Sequence, residues 1–260
     1  MAMKQRVIVV KVGGAVVEDS RQLECLLDNF KAIEGRKVLV HGGGRRATKV
    51  ASDLGIETKM VDGRRITDSK MLEVATMVYG GLVNKNIVAG LQARGTDAIG
   101  LTGADANLIL SHKRPLKNGI DYGFVGDVDK ADGHKLSSLI ESGFVPVLAP
   151  LTHDGKGHLL NTNADTIAAE AAKSLAGLYD VWLIYGFEKK GVLGNPDDED
   201  SVIPKINRQS FGQLVANGTV AGGMIPKIEN ALEAVDNGVS RVVITLASEI
   251  DGTKGTIISK

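Results

Sequence analysis

Two kinds of apolar pattern alternate along the chain. Short runs rich in Val, Ile and Leu, such as "RVIVVK" (6–11) and "KVLVH" (37–41), predict fully buried strands. Between them, "SRQLECLLDNFKAI" (20–33) has apolar residues every three or four positions behind Ser20, which predicts a helix capped by this serine. The order of strand, helix and strand predicts a β-α-β unit.

The same alternation continues through the rest of the chain. Helical spacing predicts further helices at residues 49–55, 68–94, 134–143, 163–177, 208–218 and 222–238. Apolar runs predict strands at 98–101, 144–150, 180–186, 241–246 and 255–259, and turn-rich sequence predicts surface strands or hairpins at 118–133 and 152–161. This pattern is typical of an α/β fold, here a three-layer αβα sandwich around a mostly parallel central sheet. We place a boundary between two lobes, 1–175 and 176–260, where the alternation divides in half.

The composition predicts a globular protein without a strong overall electric field. Lys plus Arg and Asp plus Glu number 31 each, which argues against nucleic acid or a membrane surface as a partner. The single cysteine, Cys25, excludes an internal disulfide, and we expect it to be buried in its helix. No signal peptide or long apolar run is present, so we expect a cytoplasmic location.

Glycines follow the first two predicted strands. Lys11 ends the first strand ahead of Gly13 and Gly14, and the second strand ends at residues 42–44, all glycine. Because parallel sheets bind ligands at the carboxyl ends of their strands, and glycine lets backbone N–H groups approach an anion, both loops are candidates for binding phosphates and an acidic substrate. The Walker A pattern GxxxxGK[ST] is absent. The alternative is that both loops are only tight turns.

A second lysine, Lys227, is expected in or near the first turn of a helix, because the preceding Pro226 is tolerated only near a helix start. A cation there opposes the helix dipole at a cost of up to about 1 kcal/mol, which a bound anion would offset. The alternative is a solvated lysine. Arg65 in "VDGRRITD" and Asn161 and Asp165 in "LLNTNAD" add candidate polar groups, whereas the 5 histidines show no spacing typical of metal ligands.

These segments together resemble the amino acid kinase family, and within it the acetylglutamate kinases. The matching segments follow the family's order over almost the whole chain: "KVGG", "VHGGG", "VDGRRITD", "GGLVNKNIV", "IGLTGADANLI", "GFVGDV", "LLNTNADTIAAEAA" and "GGMIPKIENALEAVDNGV". The resemblance implies the amino acid kinase fold and ATP-dependent phosphorylation of the side-chain carboxylate of N-acetyl-L-glutamate in arginine biosynthesis. It also implies that residues 1–175 bind the acyl amino acid and dimerise, and that residues 176–260 bind ATP.

The resemblance assigns roles to individual residues. Lys11 and Lys227 are expected to stabilise the transferring phosphoryl group, with Asp165 holding both lysines in place. The expected contacts of the acyl amino acid are Gly43, Gly44, Arg65 and Asn161. The expected contacts of the nucleotide are Gly13, Gly14, Tyr185, Gly186, Gly222 and Gly223. Mg²⁺ is expected to be held mainly by the nucleotide phosphates, so no residue is assigned to a metal.

The chemistry of such a reaction agrees with these residue types. A glutamate side-chain carboxyl has an ordinary pKa of about 4.3 and is ionised at neutral pH, so no general base is required. The reaction does need positive groups that stabilise the charge spread over the phosphoryl oxygens. Two lysines, Mg²⁺ and backbone N–H groups meet that need.

Three arginines depart from the family's pattern, namely Arg45, Arg46 and Arg64. One hypothesis is that at least one of them binds an extra carboxylate on the acyl group, because a guanidinium recognises carboxylates bidentately. N-succinyl-L-glutamate would then be the preferred substrate. The alternative is that all three are solvated.

Two further functions remain as alternatives. A non-catalytic sensor of an amino acid or nucleotide would use Arg65, Asn161 and the glycines but would have no need of Lys11, Asp165 and Lys227 together. A carbamate or glutamate kinase would be another enzyme of the same family. The resemblance also implies a homodimer without feedback inhibition by arginine, since the first strand begins about six residues into the chain, without the extra helix of hexameric relatives.

Overall fold

The computed structural model describes residues 4–61, 64–116 and 118–260, and the side chain of Arg64 also lies outside this description. The strands are β1 (Arg6–Val12), β2 (Arg36–His41), β3 (Met60–Val61), β4 (Arg64–Arg65), β5 (Ala98–Leu101), β6 (Ile109–Lys113), β7 (Gly126–Ala131), β8 (Val145–Leu148), β9 (Leu151–His153), β10 (Leu159–Asn161), β11 (Asp180–Phe187), β12 (Lys205–Ile206), β13 (Arg241–Leu246) and β14 (Thr256–Ile258). The helices are α1 (Gly14–Glu18), α2 (Ser20–Ala32), α3 (Gly44–Asp53), α4 (Ser69–Ala75), a π-helical segment (Thr76–Val83), α5 (Asn84–Gln92), a 3₁₀ turn (Asp105–Asn107), α6 (Gly133–Glu141), α7 (Ala164–Ala176), α8 (Arg208–Ala216) and α9 (Met224–Asp236).

A large central sheet runs through the molecule, with strand order β12-β14-β13-β11-β1-β2-β8-β5. Its neighbouring strands pair in parallel except β13 and β14, which are antiparallel. The predicted mostly parallel sheet is therefore confirmed. Strand β1 pairs with β11, so the two predicted lobes share this sheet, and the boundary between them stays a prediction.

Helices cover both faces of the central sheet. Along β1, Val7 and Val9 belong to one core cluster with apolar residues of α6, α7 and α9. Ile8 and Val10 belong to a second cluster with residues of α2, α3, α4 and α5. Because successive side chains of a strand point to opposite faces, a continuous apolar run fills both layers of core at once. The predicted three-layer sandwich is confirmed.

A smaller sheet, of order β10-β9-β6-β7, stands beside the central one. Strands β9 and β10 pair antiparallel, which confirms the hairpin predicted at 152–161. In the turn-rich segment 118–133, the second half forms β7, which pairs antiparallel with β6.

Two predictions about helix α2 are wrong. The cap of α2 is Asp19, whose carboxylate accepts the N–H of Gln22 at 2.9 Å, and Ser20 is the first helical residue. Cys25 is exposed, because α2 turns Leu26, Leu27 and Phe30 toward the core and the opposite face toward solvent. The helix predicted at 68–94 is confirmed, with a π-helical segment in its middle.

No helix in the described ranges has the length and apolar character needed to cross a membrane.

Candidate active site

The two glycine loops lie against each other at the carboxyl edge of the central sheet. Strands β1 and β2 are neighbours, with Val12 opposite His41, so both loops leave the sheet at the same edge. A Cβ added at Gly42 would lie 2.9 Å from the nitrogen of Gly14, and one at Gly14 would lie 3.3 Å from the nitrogen of Gly43. Glycine is required for so close an approach of two backbones.

Two helices bring further charged groups to this edge. The side chain of Asn163 caps α7 by accepting the N–H groups of Asp165 and Thr166, at 2.8 and 3.2 Å. Lys227 lies in the first turn of α9, as predicted. Ahead of that helix Gly222 has a φ of 55°, a left-handed conformation that favours glycine.

Lys11, Asp165 and Lys227 form one charged cluster. The Lys11 Nζ lies 2.6 Å from Asp165 Oδ1, and each side chain is 10% exposed. The Lys227 ammonium lies 4.5 Å from the centre of the Phe187 ring, with Asp165 and Lys11 close enough to alter its ionisation. Groups at opposite ends of the polypeptide are thus brought together.

The pKa shifts in this cluster follow from its charges. Burial alone would raise the pKa of Asp165, but the two lysines outweigh burial and hold that pKa below its ordinary value. Burial lowers the pKa of Lys227, Asp165 opposes this shift, and Lys11 adds to it. A bound polyanion would add negative charge near Lys227 and so balance the charges of the two lysines.

These residues line an open cleft of about 310 Å³, here called the lysine cleft. Its lining residues are Lys11, Gly13, Gly14, Ala15, Val16, Gly44, Arg45, Asp165, Phe187, Glu188 and Lys227. The cleft combines three cations, two carboxylates and a glycine loop, which suits an anionic ligand with several oxygens.

An adjoining pocket of about 230 Å³, here called the arginine pocket, lies on the other side of the glycine loops. Its lining residues are Gly14, Gly42, Gly43, Gly44, Met60, Arg65, Tyr79, Arg114, Val125, Pro150, Asn161, Thr162, Asn163 and Ala164. Gly14 and Gly44 line both cavities, so the glycine loops separate and connect them.

The polar side chains of the arginine pocket are held by neighbouring groups. Arg65 Nη2 donates to the carbonyl oxygen of Gly44 at 2.9 Å and to Thr48 Oγ1 at 2.8 Å. Asn161 Nδ2 donates to Thr67 Oγ1 at 2.9 Å. The guanidinium of Arg65 has no carboxylate partner among these contacts and is therefore suited to bind one from a ligand.

The comparisons with known proteins agree with this geometry. The family model described as the amino acid kinase family matches residues 6–246. The chain belongs to the amino acid kinase family. It is 64% identical to an acetylglutamate kinase of Bacteroides thetaiotaomicron, over 99% of this chain and 100% of that one. It is 63% identical to an acetylglutamate kinase of Phocaeicola vulgatus, with the same coverage.

A solved structure also resembles this amino acid kinase. It is described as smu.665 from Streptococcus mutans and superposes with a TM-score of 0.81 at 29% identity, covering 97% of this chain and 98% of that one. The predicted fold is therefore confirmed from sequence and from structure.

The structure brings most of the predicted site residues of this kinase to the two cavities. Lys11, Gly13, Gly14, Asp165 and Lys227 line the lysine cleft, and Gly43, Gly44, Arg65 and Asn161 line the arginine pocket. Gly222 and Gly223 precede α9. The roles assigned to these residues stay predictions.

Two predicted nucleotide contacts, Tyr185 and Gly186, are buried in the structure, and their role stays a prediction. The side chain of Tyr185 is 1% exposed, and its hydroxyl donates to the carbonyl oxygen of Asp165 at 3.4 Å inside the core. Gly186 is also buried, where an added Cβ would lie 3.2 Å from Ala247 Cα. The residues of this strand end that reach the lysine cleft are Phe187 and the following Glu188.

The three unusual arginines do not form a group in the arginine pocket. Arg45 lines the lysine cleft, where it lies 3.5 Å from Glu188, and Arg46 lines a separate surface depression with Lys49. Arg45 and Arg46 face different cavities, because successive residues of α3 point in different directions. The hypothesis that one of them contacts an extra acyl carboxylate stays a prediction. The side chain of Arg64 lies outside the described residues.

Sequence reasoning missed two residues of the arginine pocket. Arg114 lies 2.6 Å from Asp127 and is bonded to it through both Nε and Nη2. Tyr79 is 4% exposed, and a Cβ added at Gly43 would lie 2.9 Å from its ring. Neither residue follows a predicted strand or belongs to a glycine loop, so no local signal pointed to them.

Among the described residues, no group of three or more His, Cys, Asp or Glu is placed to hold a metal ion.

Proposed function

We propose that this protein is an acetylglutamate kinase that transfers the γ-phosphoryl group of ATP to the side-chain carboxylate of N-acetyl-L-glutamate. The observation that carries the proposal is the convergence of Lys11, Asp165 and Lys227 on a cleft that adjoins a pocket containing Arg65 and Asn161. The relatives named acetylglutamate kinase, at 64% and 63% identity, support the acyl amino acid as substrate.

In this proposal the arginine pocket binds the acyl amino acid. Arg65 binds the α-carboxylate, and Asn161 and the N–H groups of Gly43 and Gly44 contact the remaining oxygens. Every residue that lines the pocket falls between Gly14 and Ala164, which supports an N-terminal lobe dedicated to this substrate. The side-chain carboxylate then points across the glycine loops toward the lysine cleft.

The lysine cleft binds the ATP phosphates. A carboxylate oxygen of the substrate attacks the γ-phosphorus while the bond to the β–γ bridging oxygen breaks, and ADP leaves. No proton is transferred, because the nucleophile is already ionised. Lys11 and Lys227 stabilise the charge on the phosphoryl and bridging oxygens, and Asp165 orients both lysines. Mg²⁺, if bound to the nucleotide phosphates, would neutralise part of their charge.

The product is N-acetyl-L-glutamyl 5-phosphate, an intermediate of arginine biosynthesis. The resemblance to the family supports a cytoplasmic homodimer that binds these small molecules. Light scattering tests the dimer.

Trapping of the acyl phosphate with hydroxylamine tests the function. The purified protein is incubated with Mg-ATP and, separately, N-acetyl-L-glutamate, N-succinyl-L-glutamate, L-glutamate and carbamate, and the hydroxamate is measured. We expect the highest kcat/KM with N-acetyl-L-glutamate. A sensor would give no product with any compound, and a carbamate kinase would react only with carbamate.

The succinyl compound is the closest competitor in that panel. Arg114, which lines the pocket together with Arg65, is already paired with the carboxylate of Asp127, so its charge is compensated before any ligand binds. A higher kcat/KM for N-succinyl-L-glutamate would reject the acetyl assignment while keeping the reaction.

A further inference from the structure

Two buried polar side chains, His41 and Asn84, lie beneath the second glycine loop and are linked to the exposed Lys85 in a chain of hydrogen bonds. His41 ends β2 and is 0% exposed, and Asn84 begins α5 and is 1% exposed. The His41 Nδ1 lies 2.8 Å from the carbonyl oxygen of Gly42, and its Nε2 lies 3.2 Å from Asn84 Nδ2. Lys85 continues the chain, with its Nζ 3.0 Å from Asn84 Oδ1.

The partners at the two ends of this chain fix where its hydrogens lie. The Lys85 ammonium can only donate, so the Asn84 oxygen accepts from it. The Asn84 amide nitrogen then donates to the carbonyl oxygen of Val147, at 2.9 Å, and to His41 Nε2. Since Nε2 accepts and the Gly42 carbonyl can only accept, His41 is neutral with its single hydrogen on Nδ1.

Protonation of His41 would break this arrangement. A hydrogen on Nε2 would face the amide nitrogen of Asn84, which has no lone pair to offer. Burial lowers the pKa of His41 to about 4, and the nearby charge of Lys85 acts in the same direction. The ring therefore stays neutral at physiological pH.

A glycine on β5 leaves room for the side chains of Asn84 and Lys85. A Cβ added at Gly100, on the neighbouring β5, would lie 1.9 Å from Asn84 Oδ1 and 2.6 Å from Lys85 Nζ. Any other residue at position 100 would displace both side chains. The absence of a side chain at that position gives Asn84 and Lys85 a fixed place between helix and sheet.

The hydrogen bond from His41 fixes the direction of one peptide group. In a trans peptide the carbonyl of Gly42 and the N–H of Gly43 point in opposite directions. With the Gly42 carbonyl held toward His41 in the interior, the Gly43 N–H points away from it, on the side where the Gly14 loop lies. Within the described residues, this N–H donates to no backbone acceptor, so it is free to bind a ligand.

We propose that His41 and Asn84 are positioning residues that hold the Gly42–Gly43 peptide so that its N–H donates to the reacting oxygens between the arginine pocket and the lysine cleft. The inference rests on the proposed kinase function, since those oxygens belong to the substrate carboxylate or the transferring phosphoryl group. An N–H group that is already in position needs no reorganisation during the reaction. Misplacement of such a group by about 1 Å can lower the rate about 100-fold.

A pair of substitutions at one position separates positioning from general stability. The side-chain nitrogen of asparagine is as many bonds from Cα as Nδ1 of histidine, so His41→Asn keeps a donor for Gly42, whereas His41→Leu keeps apolar volume only. We expect His41→Leu to lower kcat at least about 10-fold with KM for ATP changed less than about twofold. His41→Asn is expected to recover most of that loss.

The control is Leu91→Ala, in the same helix as Asn84 and fully buried. It is expected to lower Tm while leaving kcat unchanged. Wild-type kcat in His41→Leu, or no recovery in His41→Asn at equal Tm, overturns the inference. Absence of acyl phosphate formation by the wild-type protein is a different result, because it rejects the proposed function.

If the variants fail to fold, a measurement on the wild-type protein tests the inference through the tautomer of His41. The ¹⁵N chemical shifts of labelled histidine distinguish the two neutral tautomers and the imidazolium. We expect His41 to show a protonated Nδ1 and an unprotonated Nε2 at pH 7. A protonated Nε2 at that pH overturns the inference.

Discussion

The arginine pocket and the lysine cleft are both lined by Gly14 and Gly44 but contain different cations. Among the described residues of the arginine pocket the cations are two guanidinium groups, one bonded to neutral oxygens and the other to Asp127. In the lysine cleft the central cations are the two ammonium groups of Lys11 and Lys227, both near the carboxylate of Asp165.

This difference matches the two tasks of the proposed reaction. A guanidinium is planar and binds a carboxylate of the substrate through two parallel hydrogen bonds. An ammonium is a compact charge on a flexible side chain, which suits a phosphoryl group that moves during the reaction. In the proposed reaction the pocket would therefore govern binding of the ground state, and the cleft would govern stabilisation of the transition state. Substitutions in the two regions should affect KM and kcat differently.

The largest expected effect comes from the lysine cleft. We expect Lys11→Ala and Lys227→Ala each to lower kcat about 10²- to 10³-fold, or about 3–4 kcal/mol, because each removes a positive charge from the transition state. The chain should still fold, since the remaining lysine is close enough to favour the charged form of Asp165. Steady-state kinetics with measurement of Tm checks both expectations.

The matched control is Lys31→Ala, which removes an exposed lysine in the last turn of α2. It should leave kcat unchanged. A folded Lys11 or Lys227 variant with nearly wild-type kcat would contradict the division of labour between the two regions.

The next largest expected effect is a loss of stability at low pH, which depends on His41 beneath the shared glycine loops. The pKa of His41 is about 4 in the folded protein, against an ordinary value of 6.5, so below pH 6.5 the unfolded chain binds a proton that the folded chain does not. The free energy of unfolding should therefore fall by about 3 kcal/mol as the pH falls from above 6.5 to about 4. The lowered pKa of Asp165 acts only below the ordinary value of 3.8.

Urea unfolding at pH 7.5 and pH 4.5 measures this dependence. His41→Asn cannot titrate, so its pH dependence should be smaller than that of the wild-type protein by most of this amount. An equal dependence in both proteins would mean that His41 is not kept neutral by the fold.

A smaller effect is expected from the arginine pocket. Arg65→Ala should raise KM for N-acetyl-L-glutamate roughly 10- to 100-fold, because it removes a charged hydrogen bond worth about 1.5–3 kcal/mol. KM for ATP should not change. A fall in kcat with an unchanged KM for the acyl amino acid would mean that Arg65 stabilises the transition state. The arginine pocket and the lysine cleft would then not differ in function.

The smallest effect is expected from Arg45, an exposed cation at the edge of the lysine cleft. Its partner Glu188 lies 3.5 Å away, and both side chains are more than half exposed, at 68% and 55%. Arg45→Ala should raise KM for ATP only about two- to fivefold, since exposed charges are screened by water. Arg46→Ala, one residue along and facing another depression, serves as its control and should change neither KM. Equal effects of both substitutions would show that position in the cleft is not the cause.

The elements of the fold were predictable because their signals are local. Apolar runs and helical spacing identify strands and helices within a few residues, and glycines after a strand identify the loops. Lys227 could be assigned to the first turn of its helix for the same reason. The order of the motifs along the chain was enough to indicate the family.

The direction of individual side chains was not predictable from those signals. Arg45 and Arg46 are neighbours in sequence but line different surfaces, and Tyr185 faces the core from a strand that ends at the cleft. Arg114 reaches the pocket from just beyond β6 of the smaller sheet, where nothing in its sequence marks it.

By itself the sequence determined the alternating elements, the paired glycine loops and the residue types of the site, because these depend on backbone geometry and on periodicity over a few residues. Only the tertiary structure decided which cations share a cavity and that a neutral His41 supports the second glycine loop from below. Those outcomes depend on contacts between residues far apart in the chain, such as Lys11 with Asp165 and His41 with Asn84, whose partners are set by how helices and strands pack.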